Sequence, residues 1–239
     1  MKHVMKCVLL AGGKGTRLME ETVEKPKPLV EIGGKPILWH IMKSYSHYGI
    51  NEFVICLGYK GKMIEDYFSN LDQSKWSCTF VDTGLETMTG GRLKKVQRYV
   101  ENETFCFTYG DTVNNLNISK AVEFHKKIGT LATVTACIPP EKYGILYLNG
   151  NMVESFKEKP KEEKNWVNGG YFVLEPKIFD YIKNDETVWE EKPLQNLAST
   201  GKLAAYRHDG FYQPMDTLKD KIKLNELWDS GNAEWKIWD

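Results

Sequence analysis

The residues best suited to chemistry stand near the N-terminus. Leu10-Ala11-Gly12-Gly13-Lys14-Gly15-Thr16-Arg17-Leu18 places three glycines within four residues, directly after a short apolar run. Glycine lets the backbone adopt positive φ and come close to a ligand, and successive N–H groups in such a loop form a cradle for an anion. Arg17 adds a planar fork that matches phosphate oxygens, and Lys14 a compact positive charge. Lys25-Pro26-Lys27-Pro28 follows, and its prolines hold the segment extended so that its lysines are aimed. Together the loop and the paired lysines point to phosphate binding; a solvated glycine-rich turn is the plainer alternative. Two familiar glycine loops do not fit. A G-x-G-x-x-G reading of Gly13 to Leu18 meets leucine at its last glycine, and no Gly-Lys-Ser/Thr follows four spacers.

Two acids stand farther along. Asp111 closes the apolar run Phe105–Gly110, and Asp216 closes the strand-like run Phe211–Met215. In open α/β sheets the carboxyl ends of the strands form the ligand edge. Gly110 removes a side chain where a phosphate would approach. Magnesium takes one or two protein carboxylates and completes its octahedron with water and phosphate oxygens, a need that two strand-end aspartates meet. Asp216 also precedes the helical pattern that starts at Thr217-Leu218, so an N-cap role competes. Thr89-Gly90-Gly91-Arg92 opens another helical pattern; its glycines admit a flat base against the backbone, and Thr89 and Arg92 offer edge contacts suited to the acceptor groups of a pyrimidine such as cytosine. An ordinary glycine-containing helix start has the same appearance.

The elements that must position these residues alternate in type. Strands are expected at Met5–Leu10, Glu52–Leu57, Thr79–Val81, Phe105–Tyr109 and Thr130–Cys137, with helices at Ile37–Tyr48, Met63–Ser69, Leu93–Val100 and Ile118–Lys127. Continuous apolar strands between helices predict an α/β fold: a Rossmann-like, mainly parallel sheet with helices on both faces. Beyond residue 140 the texture becomes α+β. Gly144–Leu148, Met152–Phe156 and Trp166–Leu174 read as a meander with a hairpin at Asn149-Gly150, and helical patterns return at Pro176–Lys183, Trp189–Ser199 and Leu218–Trp228. Residues 1–239 are expected to form one domain, with an α/β part over 1–140 and a C-terminal α+β part over 141–239.

Composition narrows the function classes. The 239 residues carry 32 Lys+Arg against 32 Asp+Glu, so no global basic field exists to hold a nucleic-acid backbone. No apolar run approaches the roughly 20 residues that span a bilayer. Five cysteines without a C-x-x-C argue against zinc or a disulfide framework and for a reduced, cytoplasmic protein. The five histidines form no Ser/His/Asp or Cys/His arrangement, and none is given a catalytic role. Trp228, Trp235 and Trp238 either mark a subunit contact or pack on their own chain.

The glycine loop and the paired lysines, taken with Glu31–His40, Asp82-Thr83-Gly84, Met88–Arg92, Thr108–Asp111, Glu158-Lys159-Pro160, Asn168-Gly169-Gly170 and Gln213–Thr217, resemble the sugar-1-phosphate nucleotidylyltransferases, most of all the cytidylyltransferases among them. The span between Phe68 and Asp82 is shorter than in those relatives, which keeps open another base (UTP or dTTP) or a non-glucose phosphate. A non-catalytic nucleotide-sugar-binding protein is a separate alternative, against which Arg17, Lys27, Asp111 and Asp216 argue. The resemblance implies CTP and a hexose 1-phosphate, foremost α-D-glucose 1-phosphate, as substrates, Mg²⁺ as cofactor, and a homo-oligomer. It implies nucleotide contacts from Leu10, Ala11, Gly12, Gly13, Gly15, Thr16, Thr89, Gly90, Gly91, Arg92 and Gly110. Arg17 would act on the triphosphate, Lys27 on the α-phosphate and Lys159 on the sugar phosphate, with Asp111 and Asp216 on the metal. Glu158, Asn168, Gly169 and Gly170 would meet sugar hydroxyls, although Glu158 and Lys159 also sit in an ordinary solvated charge cluster. Tyr143, Gly144 and Trp189 are weaker sugar-site candidates, aromatic residues at such places being more often core.

Overall fold

The computed structural model describes residues 5–71, 75–140, 145–157 and 165–238. Along the chain come β1 (Lys6–Leu10), a short helix α1 (Met19–Thr22), the small ladder β2 (Glu31–Ile32) and β3 (Lys35–Pro36), α2 (Ile37–His47), β4 (Glu52–Leu57), α3 (Gly61–Ser69) and β5 (Ser77–Asp82). Then follow α4 (Thr89–Lys95), β6 (Phe105–Tyr109), β7 (Thr112–Asn114), α5 (Ile118–Ile128) and β8 (Ala132–Cys137). The hairpin β9 (Ile145–Asn149) and β10 (Met152–Lys157) precedes β11 (Val167–Leu174), α6 (Lys192–Ser199), β12 (Leu203–His208), β13 (Tyr212–Pro214) and α7 (Leu218–Asp229).

Seven strands form the main sheet in the order β12-β8-β11-β6-β1-β4-β5. β11 runs antiparallel to β8 and β6, and the other neighbours are parallel. Because successive strand residues point to opposite faces, β1 feeds two cores. Cys7 and Leu9 pack with Ile41 and Tyr45 of α2, Ile64 of α3 and Leu224 of α7. Val8 packs on the other face with Leu93 of α4, Leu197 of α6 and Trp189. Helices thus cover both faces, as the strand–helix alternation predicts.

Several expectations are corrected. The run Trp166–Leu174 is not the third strand of a meander: as β11 it enters the main sheet between β8 and β6. The reason lies in its side chains, since Tyr171, Phe172, Val173 and Leu174 are all buried and a run buried on both faces belongs in a sheet interior. The main sheet therefore takes strands from both sides of residue 140. The Leu93–Val100 helix starts earlier and ends earlier, as α4 followed by a 3-10 turn at Gln97–Tyr99. Pro176–Tyr181 is a 3-10 helix, and α6 begins only at Lys192. Trp235 packs on its own chain, fully buried among Trp228, Phe211 and His40. The five cysteines are unpaired.

Candidate active site

The parallel strands β1, β4 and β6 end at one edge of the sheet, and a cleft of about 580 Å³ opens there. Its walls are the glycine loop from Leu10 to Arg17, Lys27 and Pro28, the segment from Leu85 to Thr89 with Arg92, and Tyr109 to Asp111 with Glu190. The loop is tied to the end of β4 by Ala11 N donating to the Cys56 carbonyl and Tyr59 N to the Gly12 carbonyl, each at 3.0 Å. A Cβ on Gly12 would stand 2.2 Å from Nη1 of Arg92, so this position tolerates only glycine while the arginine stays in place. Gly15 lies in the left-handed region at φ 65° and turns the chain onto the Lys27 stem. A Cβ on Gly110 would meet the Leu10 carbonyl at 2.5 Å, so this glycine lets the ends of β6 and β1 lie side by side.

Four charged groups converge at the mouth of the cleft. Lys27 Nζ donates to Asp111 Oδ2 at 2.8 Å and to Asp216 Oδ1 at 2.9 Å, and Arg17 Nη1 donates to Asp216 Oδ2 at 2.8 Å. Lys27 sits in a 3-10 turn, Lys27–Leu29, entered from the extended Pro26, and its side chain is only 8% exposed. Burial alone would pull its ammonium down; the charges and hydrogen bonds of Asp111 and Asp216 outweigh that and hold its pKa above the ordinary lysine value. Arg17 is the solvent-facing member, its side chain 71% exposed.

The two aspartates meet through a short ladder. β7 and β13 pair antiparallel, with Thr112 opposite Pro214, and so bring the residue before β7 beside the residues after β13. Asp216 is not a helix cap. Thr217 caps α7, its hydroxyl accepting from Asp220 N, while Asp220 Oδ2 accepts from the backbone N–H groups of Asp216 and Thr217. The Asp216 carboxylate is thereby left for Lys27 and Arg17. Among the described residues no group of three or more His, Cys, Asp or Glu side chains gathers. The donor set at the cleft is the pair Asp111 and Asp216, which matches the one or two carboxylates that magnesium takes from a protein when phosphates supply the remainder.

On the opposite wall the structure places the expected base-contacting residues differently from one another. Thr89 lines the cleft, donating to Glu190 Oε2 at 2.6 Å and accepting from Trp189 N at 2.9 Å. Gly90 and Gly91 turn away from it: a Cβ on either would strike the backbone oxygen of Thr187 or Asp185 at 2.7 or 2.5 Å. Arg92 is buried, with Nη1 donating to the Leu57 carbonyl, Thr83 Oγ1 and the Gly84 carbonyl and Nη2 to the Leu85 carbonyl, all within 3.1 Å. Its guanidinium builds the wall instead of standing free for a base edge, and burial draws its pKa below the ordinary arginine value.

Toward the other end, Asn168 Nδ2 donates to the Tyr109 hydroxyl at 3.2 Å, and that hydroxyl donates to Glu190 Oε1. Gly169 lies against Cys137, and Gly170, at φ 76°, lies against the Tyr109 ring. Trp189 is a core residue and not a sugar platform: it is 0% exposed, edge-on to Phe107 and Phe172. Tyr143, Gly144, Glu158 and Lys159 lie outside the described residues. Sequence reasoning missed Tyr109, Glu190 and the Lys14–Glu86 ion pair, 2.8 Å long, that joins the glycine loop to the facing segment. Tyr109 was signalled by its place just before Gly110-Asp111; Glu190 and Glu86 belong to no motif.

The nucleotidyl transferase family profile matches residues 6–229. The chain is 52% identical to the glucose-1-phosphate cytidylyltransferase of Salmonella typhimurium, covering 98% of this chain and 100% of that protein. It is 44% identical to a probable glucose-1-phosphate cytidylyltransferase of Bacillus subtilis, with the same coverage of 98% and 100%. Its fold is similar to that of HddC from Yersinia pseudotuberculosis, at a TM-score of 0.76 and 26% identity over 94% of this chain and 99% of that one.

Proposed function

Because the chain belongs to the nucleotidyl transferase family, we propose that it transfers the cytidylyl group of CTP to α-D-glucose 1-phosphate, giving CDP-glucose and pyrophosphate. The observation that carries this reading is the convergence of Lys27, Arg17, Asp111 and Asp216 beside the glycine loop. The choice of base and sugar rests on the relatives of similar sequence, which are named for that reaction.

The transfer sets one anion against another. A sugar phosphate oxygen attacks the α-phosphorus in line with the departing pyrophosphate, so the barrier falls by neutralising charge and fixing alignment. A phosphate monoester is largely dianionic near neutral pH, and no side chain need take a proton from it. The backbone of Gly12 to Thr16 would cradle the triphosphate, Arg17 its outer oxygens, and Lys27 the α-phosphate. Lys159, outside the described residues, would hold the incoming sugar phosphate. Asp111 and Asp216 would hold Mg²⁺, which supplies neutralisation of the triphosphate oxygens when bound. Asn168 would serve sugar hydroxyls near Tyr109. Homo-oligomerisation and a reducing, cytoplasmic setting complete the reading; unpaired thiols support the setting, and sedimentation equilibrium tests the assembly.

The test is a matrix of CTP, UTP, dTTP and GTP against several hexose 1-phosphates, read as pyrophosphate release. CTP with glucose 1-phosphate is expected to give the highest kcat/KM. Absence of turnover with every pair would overturn the enzymatic reading.

A further inference from the structure

We propose that Lys27 holds the place of the divalent cation in the nucleotide-free protein, so that Asp111 and Asp216 accept a metal ion only when the lysine is drawn off them. The inference rests on reading those two aspartates as cation ligands and on nothing about base or sugar.

The ammonium is set between the two carboxylates at 2.8 and 2.9 Å, the position from which one cation touches both acids. Arg17 occupies the other oxygen of Asp216 at 2.8 Å. Two cations therefore already balance two anions, and a divalent ion entering this arrangement would be pressed against a like charge in a partly dry site. The lysine backbone cannot retreat easily. Pro26 and Pro28 flank it, its turn is closed by Leu29 N donating to the Pro26 carbonyl at 2.8 Å, and its stem lies against Gly15. Release must come from the side chain, and what draws an ammonium off two carboxylates is a stronger anion nearby. A nucleoside triphosphate lying on the glycine loop is such an anion. Metal and nucleotide then enter together, and the empty site resists free divalent ions.

The probe is Mn²⁺ alone, titrated into nucleotide-free protein and followed by electron paramagnetic resonance of the free ion. Wild type is expected to bind Mn²⁺ weakly. Lys27→Met and Lys27→Gln, both checked for a cooperative thermal melt, are expected to bind it at least about tenfold more tightly, and adding Asp111→Asn to Lys27→Met should abolish the gain. Equal or weaker Mn²⁺ binding by the lysine variants overturns the inference. So does tight binding by the nucleotide-free wild type, a measurement that needs no variant to fold. These titrations contain neither base nor sugar. Failure to form CDP-glucose with the lysine effect intact would sink the proposed function alone, and turnover without the lysine effect would sink this inference alone.

Discussion

Met215 donates its backbone N–H to the Asp111 carbonyl at 2.9 Å, and this bond is what delivers Asp216 to Asp111. The bond continues the β7–β13 ladder by one step past Pro214. The acids thus depend on a strand pair of three residues each for their meeting, while their carboxylates depend on Lys27 for their compensation.

Asp111→Asn is expected to lower kcat at least about 100-fold, the size of effect seen when one stabilising group of a charged transition state is removed. The amide keeps the shape and can still accept from Lys27, so cooperative unfolding should persist. A pyrophosphate-release assay beside a thermal melt checks both halves. Full activity in the variant would remove Asp111 from the charge-handling machinery.

The separation of duties between neighbours at the start of α7 gives a second expectation. Thr217 and Asp220 form a reciprocal capping box, while Asp216 gives its carboxylate to Lys27 and Arg17. Thr217→Ala should cost about 1 kcal/mol of stability in urea unfolding and leave KM for both substrates nearly unchanged. Asp216→Asn should do the opposite, sparing stability and cutting turnover. Interchanged results would return Asp216 to the cap.

His40 supplies a pH dependence remote from the cleft. It is fully buried, and Trp235 Nε1 donates to its Nδ1 at 3.3 Å while its Nε2 meets the Ile32 carbonyl at 2.9 Å. An indole N–H only donates and a carbonyl only accepts, so the ring is neutral with its proton on Nε2. Burial, outweighing the pull of the Ile32 and Lys35 backbone, lowers its pKa from 6.5 to about 4. The folded state therefore resists a proton that the unfolded chain accepts. Stability is complete above pH 6.5 and declines as the pH falls toward 4, by about 3 kcal/mol over that interval. Urea midpoints measured from pH 7.5 to 4 should trace this loss, and His40→Gln should flatten it. An unchanged slope in the variant would assign the effect to other groups.

Much of this arrangement was legible in residue order, for identifiable reasons. Apolar runs at β1, β4 and β6 are central strands wherever they occur, and the glycine loop, Asp111 and Asp216 sit at strand ends by position alone. What pattern could not show was contact between distant segments. β11 reads locally like a hairpin strand, and only its burial on both faces sends it into the main sheet. Sequence leaves Trp189 open between core and a weaker sugar-site role, and only Phe107 of β6 and Phe172 of β11 around it make it core. Glu190 carries no motif, and its place in the cleft comes from Thr89 and Tyr109, residues 101 and 81 positions away.

Arg92 shows the same limit and permits a decisive measurement. Residue type alone suits it to a base edge, yet its guanidinium is occupied by the Leu57, Gly84 and Leu85 carbonyls and the Thr83 hydroxyl. These acceptors come from the end of β4 and from the segment after β5, so one side chain fastens two walls of the cleft to α4. Arg92→Met would take the guanidinium donors from the Gly84 and Leu85 carbonyls, while the Leu57 carbonyl keeps the Thr83 N–H and hydroxyl. Each such loss costs about 1–3 kcal/mol, so stability should fall by at least about 2 kcal/mol. Gly12, whose Cα faces the guanidinium, would lose its backing, so KM for CTP should rise along with the loss of stability. Arg92→Lys keeps the charge but cannot reach four acceptors with one ammonium, and it should rescue little of either defect. A residue that merely touched the base would behave otherwise: its removal would raise KM and leave the urea midpoint where it was.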